Sequence, residues 1–266
     1  MPFLMAALKH KGDPTQRAAA AALCKLGPAA REAAPALIET LAKTKTSGRF
    51  FMADALREVL KEDPEAVPFL RKALRHPNAR VVEGAAKALR HRGPEAAPAV
   101  PELVAVLARK EMDPRIAAIQ ALGAIGPEPK ETVPALIKAL WDNNTNVQNA
   151  AAGEMGRMRP IKPEVLPALA KALSSGSRYA KPDFARALGA LGPDGKDAVP
   201  ALVKALADKN GNLRNTAAKA LGEIGPAARA AVPALEKVAK QDEGYIRKSA
   251  AEALKRIKVQ TDEGEF

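Results

Sequence analysis

Three histidines, His10, His76 and His91, and a single cysteine, Cys24, are the side chains of this 266-residue chain best suited to hold a metal or act as a nucleophile. Their spacing argues against both. His10 and His76 occupy the same row of a 33-residue repeat, two repeats apart. With packed helices about 8–10 Å apart, roughly 20 Å separates them, too far to share one zinc ion. Cys24 has no histidine in register, and one cysteine allows no intramolecular disulfide. The sequence holds no phosphate-cradling glycine loop, no zinc-pair spacing and no Ser/His/Asp set. The expectation is therefore a non-enzymatic protein with no cofactor and no metal site. What remains chemically available is charge: 42 Lys and Arg against 30 Asp and Glu, a net +12 that favours anionic partners.

The elements that position this charge follow from one spacing. Pro2, Pro35, Pro68, Pro101, Pro134, Pro167, Pro200 and Pro233 recur every 33 residues. So do Leu23, Leu56, Leu89, Leu122, Met155, Leu188, Leu221 and Leu254, and so do Leu4, Leu37, Leu70, Leu103, Leu136, Leu169, Leu202 and Leu235. Eight copies without an insertion mark a solenoid. Each copy reads as two helices, A and B. Val133, Leu136, Ile137 and Leu140 fall at helical spacing in A, and Val147, Ala151, Met155 and Met158 do so in B. Asn146 and Asn212 are expected to cap helix B, with Asp13-Pro14 and Asp113-Pro114 as cap plus first-turn proline. Gly27-Pro28, Gly93-Pro94, Gly126-Pro127, Gly192-Pro193 and Gly225-Pro226 are expected to close one repeat in a left-handed cap and open the next. The proline row falls inside helix A, where it should bend the helix. In the sixth repeat, Ser174-Ser175-Gly176-Ser177 lengthens the turn and delays helix B to about Pro182.

The chain resembles HEAT repeats, in the short bacterial form first noted in phycobilisome-lyase proteins. The residues that carry the resemblance are a helix-A proline, an aspartate eight positions on, and a basic residue six after that. Pro200, Asp208 and Arg214 keep all three, whereas the aspartate recurs only at Asp142. The basic place holds Arg49, Arg115, Lys181 and Arg247, but Gln16, Val82 and Gln148 elsewhere. The resemblance implies an all-α fold, a right-handed α-solenoid of eight HEAT-like helix–turn–helix repeats. One array would span residues 1–258 and a tail 259–266. Ankyrin and tetratricopeptide signatures are absent.

Assigned by register, the excess positive charge falls on the B helices, which line the concave face in the solenoids this chain resembles. Three rows should face that groove. They begin at Arg17, Ala21 and Cys24, and from them come the candidate contacts Arg17, Phe50, Arg57, Lys87, Arg90, Arg186, Lys219, Lys248 and Lys255. Phe50 should point outward as an anchor, with Phe51 and Met52 turned to the core or a neighbour. Mid-helix Gly123, Gly156, Gly189 and Gly222 suit close helix approach, or a floor for a partner's backbone. The turns of the first four repeats are basic, at Lys9, Lys11, Lys43, Lys45, Arg75, Arg109 and Lys110.

The expected function is a protein-binding scaffold whose basic groove takes an acidic or extended protein partner along about 80 Å. Nucleic-acid binding is the alternative. Some HEAT-like proteins are DNA glycosylases, but Trp141 and Asp142 sit at a turn rather than on the groove. A bilin-lyase-like or chaperone activity rests on the repeat subfamily alone. No run of 18 apolar residues spans a membrane, and a cytoplasmic location is expected. The first helix begins at Pro2 without a polar cap, which suggests further repeats or a dimer contact there.

Overall fold

The computed structural model describes residues 1–10, 12–44, 48–128 and 130–259. Lys11, Lys45 and the tail 260–266 lie outside the described residues. The chain divides into two compact units, Met1–Thr132 and Val133–Phe266.

In the first unit, A and B helices alternate as α1 (Pro2–Leu8), α2 (Asp13–Leu26), α3 (Ala34–Lys43), α4 (Gly48–Val59), α5 (Ala66–Leu74), α6 (Ala79–Arg92), α7 (Val100–Val106) and α8 (Met112–Ile125). The series continues with α9 (Thr132–Ala139), α10 (Thr145–Arg157), α11 (Val165–Ser175), α12 (Lys181–Ala190), α13 (Val199–Ala205), α14 (Gly211–Ile224), α15 (Val232–Gln241) and α16 (Gly244–Val259). The described residues contain no strand. Each unit is thus a stack of helical pairs, an all-α solenoid.

The 33-residue rows form the core. Leu23, Leu56, Leu89, Leu122, Met155, Leu188 and Leu221 are wholly buried, as are Leu37, Leu70, Leu103, Leu136, Leu169, Leu202 and Leu235. Burying each such side chain stabilises by about 1.5–3 kcal/mol. Leu4 and Leu254, in the first and last repeats, are only half-buried.

Repeats join through glycine. Gly27, Gly93, Gly126, Gly192 and Gly225 each have positive φ, between 54° and 96°, which stops the B helix. After four of them the chain runs through a 3-10 segment, Gly27–Ala33, Gly93–Ala99, Gly192–Ala198 or Gly225–Ala231, straight into the A helix.

This corrects the reading of the proline row. Pro35, Pro101, Pro200 and Pro233 are second in their α-helices, and Pro68, Pro134 and Pro167 are third. All lie in the first turn, where the missing N–H would have had no helical acceptor anyway. Non-helical backbone occurs instead at Ala30 and Ala228, within the 3-10 segments that precede α3 and α15.

The cap assignments shift as well. The B-helix caps are Asn144 and Asn210, whose side chains accept the N–H of Asn146 and Asn212 at 2.9 and 3.0 Å. Asn78 does the same for Arg80. Asp13 and Asp113 lie in the first turns of α2 and α8, behind Gly12 and Glu111, with no side-chain cap. Helix α12 starts at Lys181, with Pro182 in its first turn.

Candidate functional site

The turn between A and B is where the family motif would act, and its chemistry is now explicit. Asp142 and Asp208 each accept the N–H two residues on, at 2.8 Å. His10 and His76 occupy the same row and do the same through Nδ1, donated to by Gly12 and Asn78 at 3.0 Å. These histidines are turn acceptors standing where the motif has aspartate. Six residues on, the next motif row reaches back to the C-terminal carbonyls of the A element. Gln16 donates to the Leu8 and His10 carbonyls, Gln148 to Asp142, Arg214 to Asp208, and Arg247 to Asp242. Arg214 also grips the Asp242 carboxylate of the following repeat at 2.6 and 3.1 Å, and that hydrogen bond holds its guanidinium pKa up. Further arginines clamp carbonyls across repeats: Arg92 on Leu60 and Lys61, Arg109 on His76 and Pro77, Arg159 on Ala190. These cations are structural.

The B helices carry the candidate site. Within each unit, B helices of neighbouring repeats pack along their lengths, while neighbouring A helices touch lightly. Each stack therefore closes up on its B side. Glycine makes this possible. A Cβ on Gly156 would lie 2.8 Å from the Ala187 carbonyl oxygen, on Gly189 2.6 Å from Ala220 Cα, and on Gly222 3.0 Å from Ala253 Cα. These glycines are buried against the next helix and offer no floor to a partner.

The row starting at Cys24 is therefore partly closed, although the long side chains of Arg90 and Lys255 still emerge exposed and Arg57 stays half-buried. The adjacent row is more open, and it brings Lys25, His91, Arg157 and Arg256 to the surface. The run of glycines was the available signal for that closure, because a side-chain-free row marks the closest approach.

Ion pairing sorts the candidate cations. Arg17 pairs with Asp13, Arg57 with Asp54 and Glu58, Lys87 with Glu83, and Arg186 with Asp183. Arg157 and Arg256 pair with Glu154 and Glu252. Among the described residues, Arg90, Lys219, Lys248 and Lys255 form no ion pair, and Arg90 donates only to Gln120.

In the first unit, Phe50 is 48% exposed with Arg49 and Lys87 stacked at 4.8 and 5.4 Å from its ring centroid. Phe51 is also exposed, against expectation, and Met52 alone of the trio is buried. Partial desolvation at the surface, with Arg57 and Arg90 close by, holds the His91 pKa below its ordinary value. Burial and then Glu58 push the Cys24 thiol up, away from the reactive thiolate.

In the second unit, a recess of about 250 Å³ opens on the B face, lined by Lys219, Gly222, Glu223, Ser249, Glu252, Ala253 and Arg256. No group of three or more His, Cys, Asp or Glu able to hold a metal occurs among the described residues. Nor is any helix there long and apolar enough to cross a membrane.

The geometry can now be set beside known proteins. No curated protein matches the chain. Among solved structures, an engineered protein is 24% identical, with a TM-score of 0.50, over 96% of this chain and 77% of its own. A designed armadillo repeat protein in complex with the peptide (KR)4 is 19% identical, with a TM-score of 0.51, over 72% of this chain and 99% of its own. Both show likeness of fold. Residues 34–113, 100–181 and 167–255 each match HEAT repeats. With stacked helical pairs, glycine-broken junctions and the Pro200, Asp208, Arg214 motif all in place, the chain belongs to the HEAT repeat family.

Proposed function

We propose that this repeat scaffold binds protein through its B-helix face, where an extended acidic segment engages the cations left free of internal partners. Lys219, Lys248 and Lys255 carry the reading. All three are exposed on two consecutive B helices of the second unit and form no ion pair among the described residues, and Lys219 lines the recess that also holds Arg256. An unpaired surface lysine sheds only water when it meets a carboxylate, whereas Arg186 or Arg57 must first give up its own. The first unit, taken by itself, carries Arg90 and the exposed Phe50, an aromatic of the kind that anchors interfaces. A solenoid of this general form can carry an extended peptide, as the designed armadillo protein does with (KR)4. Here the complementary charge is acidic.

The test is a triple reversal, Lys219→Glu, Lys248→Glu and Lys255→Glu. Affinity for a fluorescent glutamate-rich peptide is measured by anisotropy between low and physiological salt. At least a tenfold loss is expected, with a flatter salt dependence. Unchanged affinity in a folded variant would refute the reading. Reversal of the paired Arg57 and Arg186 is expected to do much less.

A further inference from the structure

The A helices of the first unit depart from the repeat at one place. Glu102 stands where Ala36, Ala135, Ala168, Ala201 and Ala234 recur, and Arg71 stands where Ile38, Val104, Ile137 and Val203 recur. These two residues join α5 to α7, A helices that otherwise touch lightly. Glu102 is buried, and its two oxygens accept from Arg71 Nε and Nη2 at 3.1 and 3.0 Å. Arg75 reaches the same carboxylate through Nη2 alone, at 2.6 Å.

Two recesses open here, and Arg75 and Glu102 line both. One, of about 360 Å³, has an apolar lining of Leu74, Pro101, Ala105 and Val106, together with Arg109. The other, of about 510 Å³, is lined by Glu65, Pro68, Phe69, Arg71 and Lys72, so Glu65 and Lys72 bring opposite charges to it.

The arginines differ in what they have left to give. Arg71 holds both Glu102 oxygens. Arg109 is spent on the His76 and Pro77 carbonyls and on Glu111. The Arg75 side chain is 73% exposed, and Glu102 is its one side-chain partner among the described residues. A guanidinium carries five N–H donors, so a two-pronged edge of Arg75 stays free. The buried acid anchors that head group beside the apolar recess.

We propose that this groove captures the C-terminal end of a peptide, with its α-carboxylate on the Arg75 guanidinium and its apolar last side chain in the recess lined by Leu74 and Val106. One free planar fork matches one carboxylate. The apolar lining adjoins the same arginine, so acid and apolar group must lie close together in the ligand. A chain terminus carries both on one carbon. Next to an internal Asp or Glu of an extended peptide, the neighbouring side chains point to the opposite face. A phosphoryl dianion fits less well, because Arg71 and Arg109 are engaged and Lys72 lines the second recess beside Glu65. This site lies on A helices, and it stands or falls separately from the B-face reading.

The test compares labelled Gly-Ser-Gly-Ser-Val-Leu carrying a free C-terminus with its C-terminal amide, by anisotropy on the full chain. The free acid is expected to bind at least about tenfold tighter. Arg75→Gln is expected to abolish that preference. Arg75→Lys should remove most of it, since an ammonium keeps the charge but loses the fork. Ala105→Trp, at an exposed position, is expected to block the recess and remove binding of the acid. The Lys219, Lys248 and Lys255 reversal, which tests the B face, leaves the preference intact. Thermal melts confirm that each variant is folded. Equal or absent binding of acid and amide, or a preference that survives Arg75→Gln, would overturn the proposal. So would an amidated peptide with an internal glutamate binding as tightly as the free acid, or inorganic phosphate displacing the acid at lower concentration than acetate does.

Discussion

Glu102 lies buried under Arg71 and Arg75, receiving 3.0 and 3.1 Å bonds from the first and 2.6 Å from the second. Burial is the largest single influence and pushes its carboxyl up, but the two arginine hydrogen bonds outweigh it and hold the pKa below the ordinary 4.5. The folded state therefore binds this proton less readily than the unfolded chain. The stability so gained is complete above 4.5 and is lost as pH falls through the lower folded value. Glu102→Gln is expected to destabilise by about 1 kcal/mol at neutral pH, since the arginines are partly solvated. The difference from the parent should shrink in acid, as read by urea denaturation at several pH values. His76 offers a second residue-scale check. If its role is to accept the Asn78 N–H, then His76→Asp keeps the turn and His76→Ala costs about 1 kcal/mol in the same assay. Sequence alone located His76 in its row but not its task. The task became visible only when its Nδ1 was found doing what Asp142 does.

Between neighbouring helices, the decisive quantity is how close the B helices come. Gly189→Ala places a methyl 2.6 Å from Ala220 Cα, where backbone must move, and is expected to destabilise by about 2 kcal/mol or more. Gly153→Ala meets only the flexible Arg157 guanidinium at 3.5 Å and should stabilise by about 0.5–1 kcal/mol through higher helix propensity. Thermal melts of the two variants read opposite signs. This contrast shows what was legible beforehand. Periodicity placed every helical pair and both core rows, because burial of Leu37 or Leu89 repeats faithfully at 33. It did not give the closure of the Cys24 row at Gly156, Gly189 and Gly222, since that depends on which small residue faces a neighbouring backbone. Nor did it give the caps at Asn144 and Asn210, two residues earlier than Asn146 and Asn212. Several nearby Asn could cap, and only turn geometry selects one.

Across the whole molecule, net +12 by itself said nothing about where a partner sits. Position in the repeat gave the candidate residues, but the pairing of each cation depends on side chains one turn away, such as Asp13 for Arg17 and Glu83 for Lys87. Pairing removes half of the candidate cations from easy use and leaves Arg90, Lys219, Lys248 and Lys255 on the B face. The arginine clamps on backbone carbonyls, at Arg92, Arg109 and Arg159, are likewise spent on the stack. Because repeat stability is a sum of nearest-neighbour contacts, removing free surface lysines should leave the fold intact while binding changes. The most direct measurement is zero-length carbodiimide cross-linking of a glutamate-rich peptide to the full chain, with the joined lysines identified by mass spectrometry. The account predicts that Lys219, Lys248 and Lys255 dominate on the B face. Cross-links spread evenly over turn lysines such as Lys61, Lys110 and Lys209, with those three no more frequent than the rest, would contradict it.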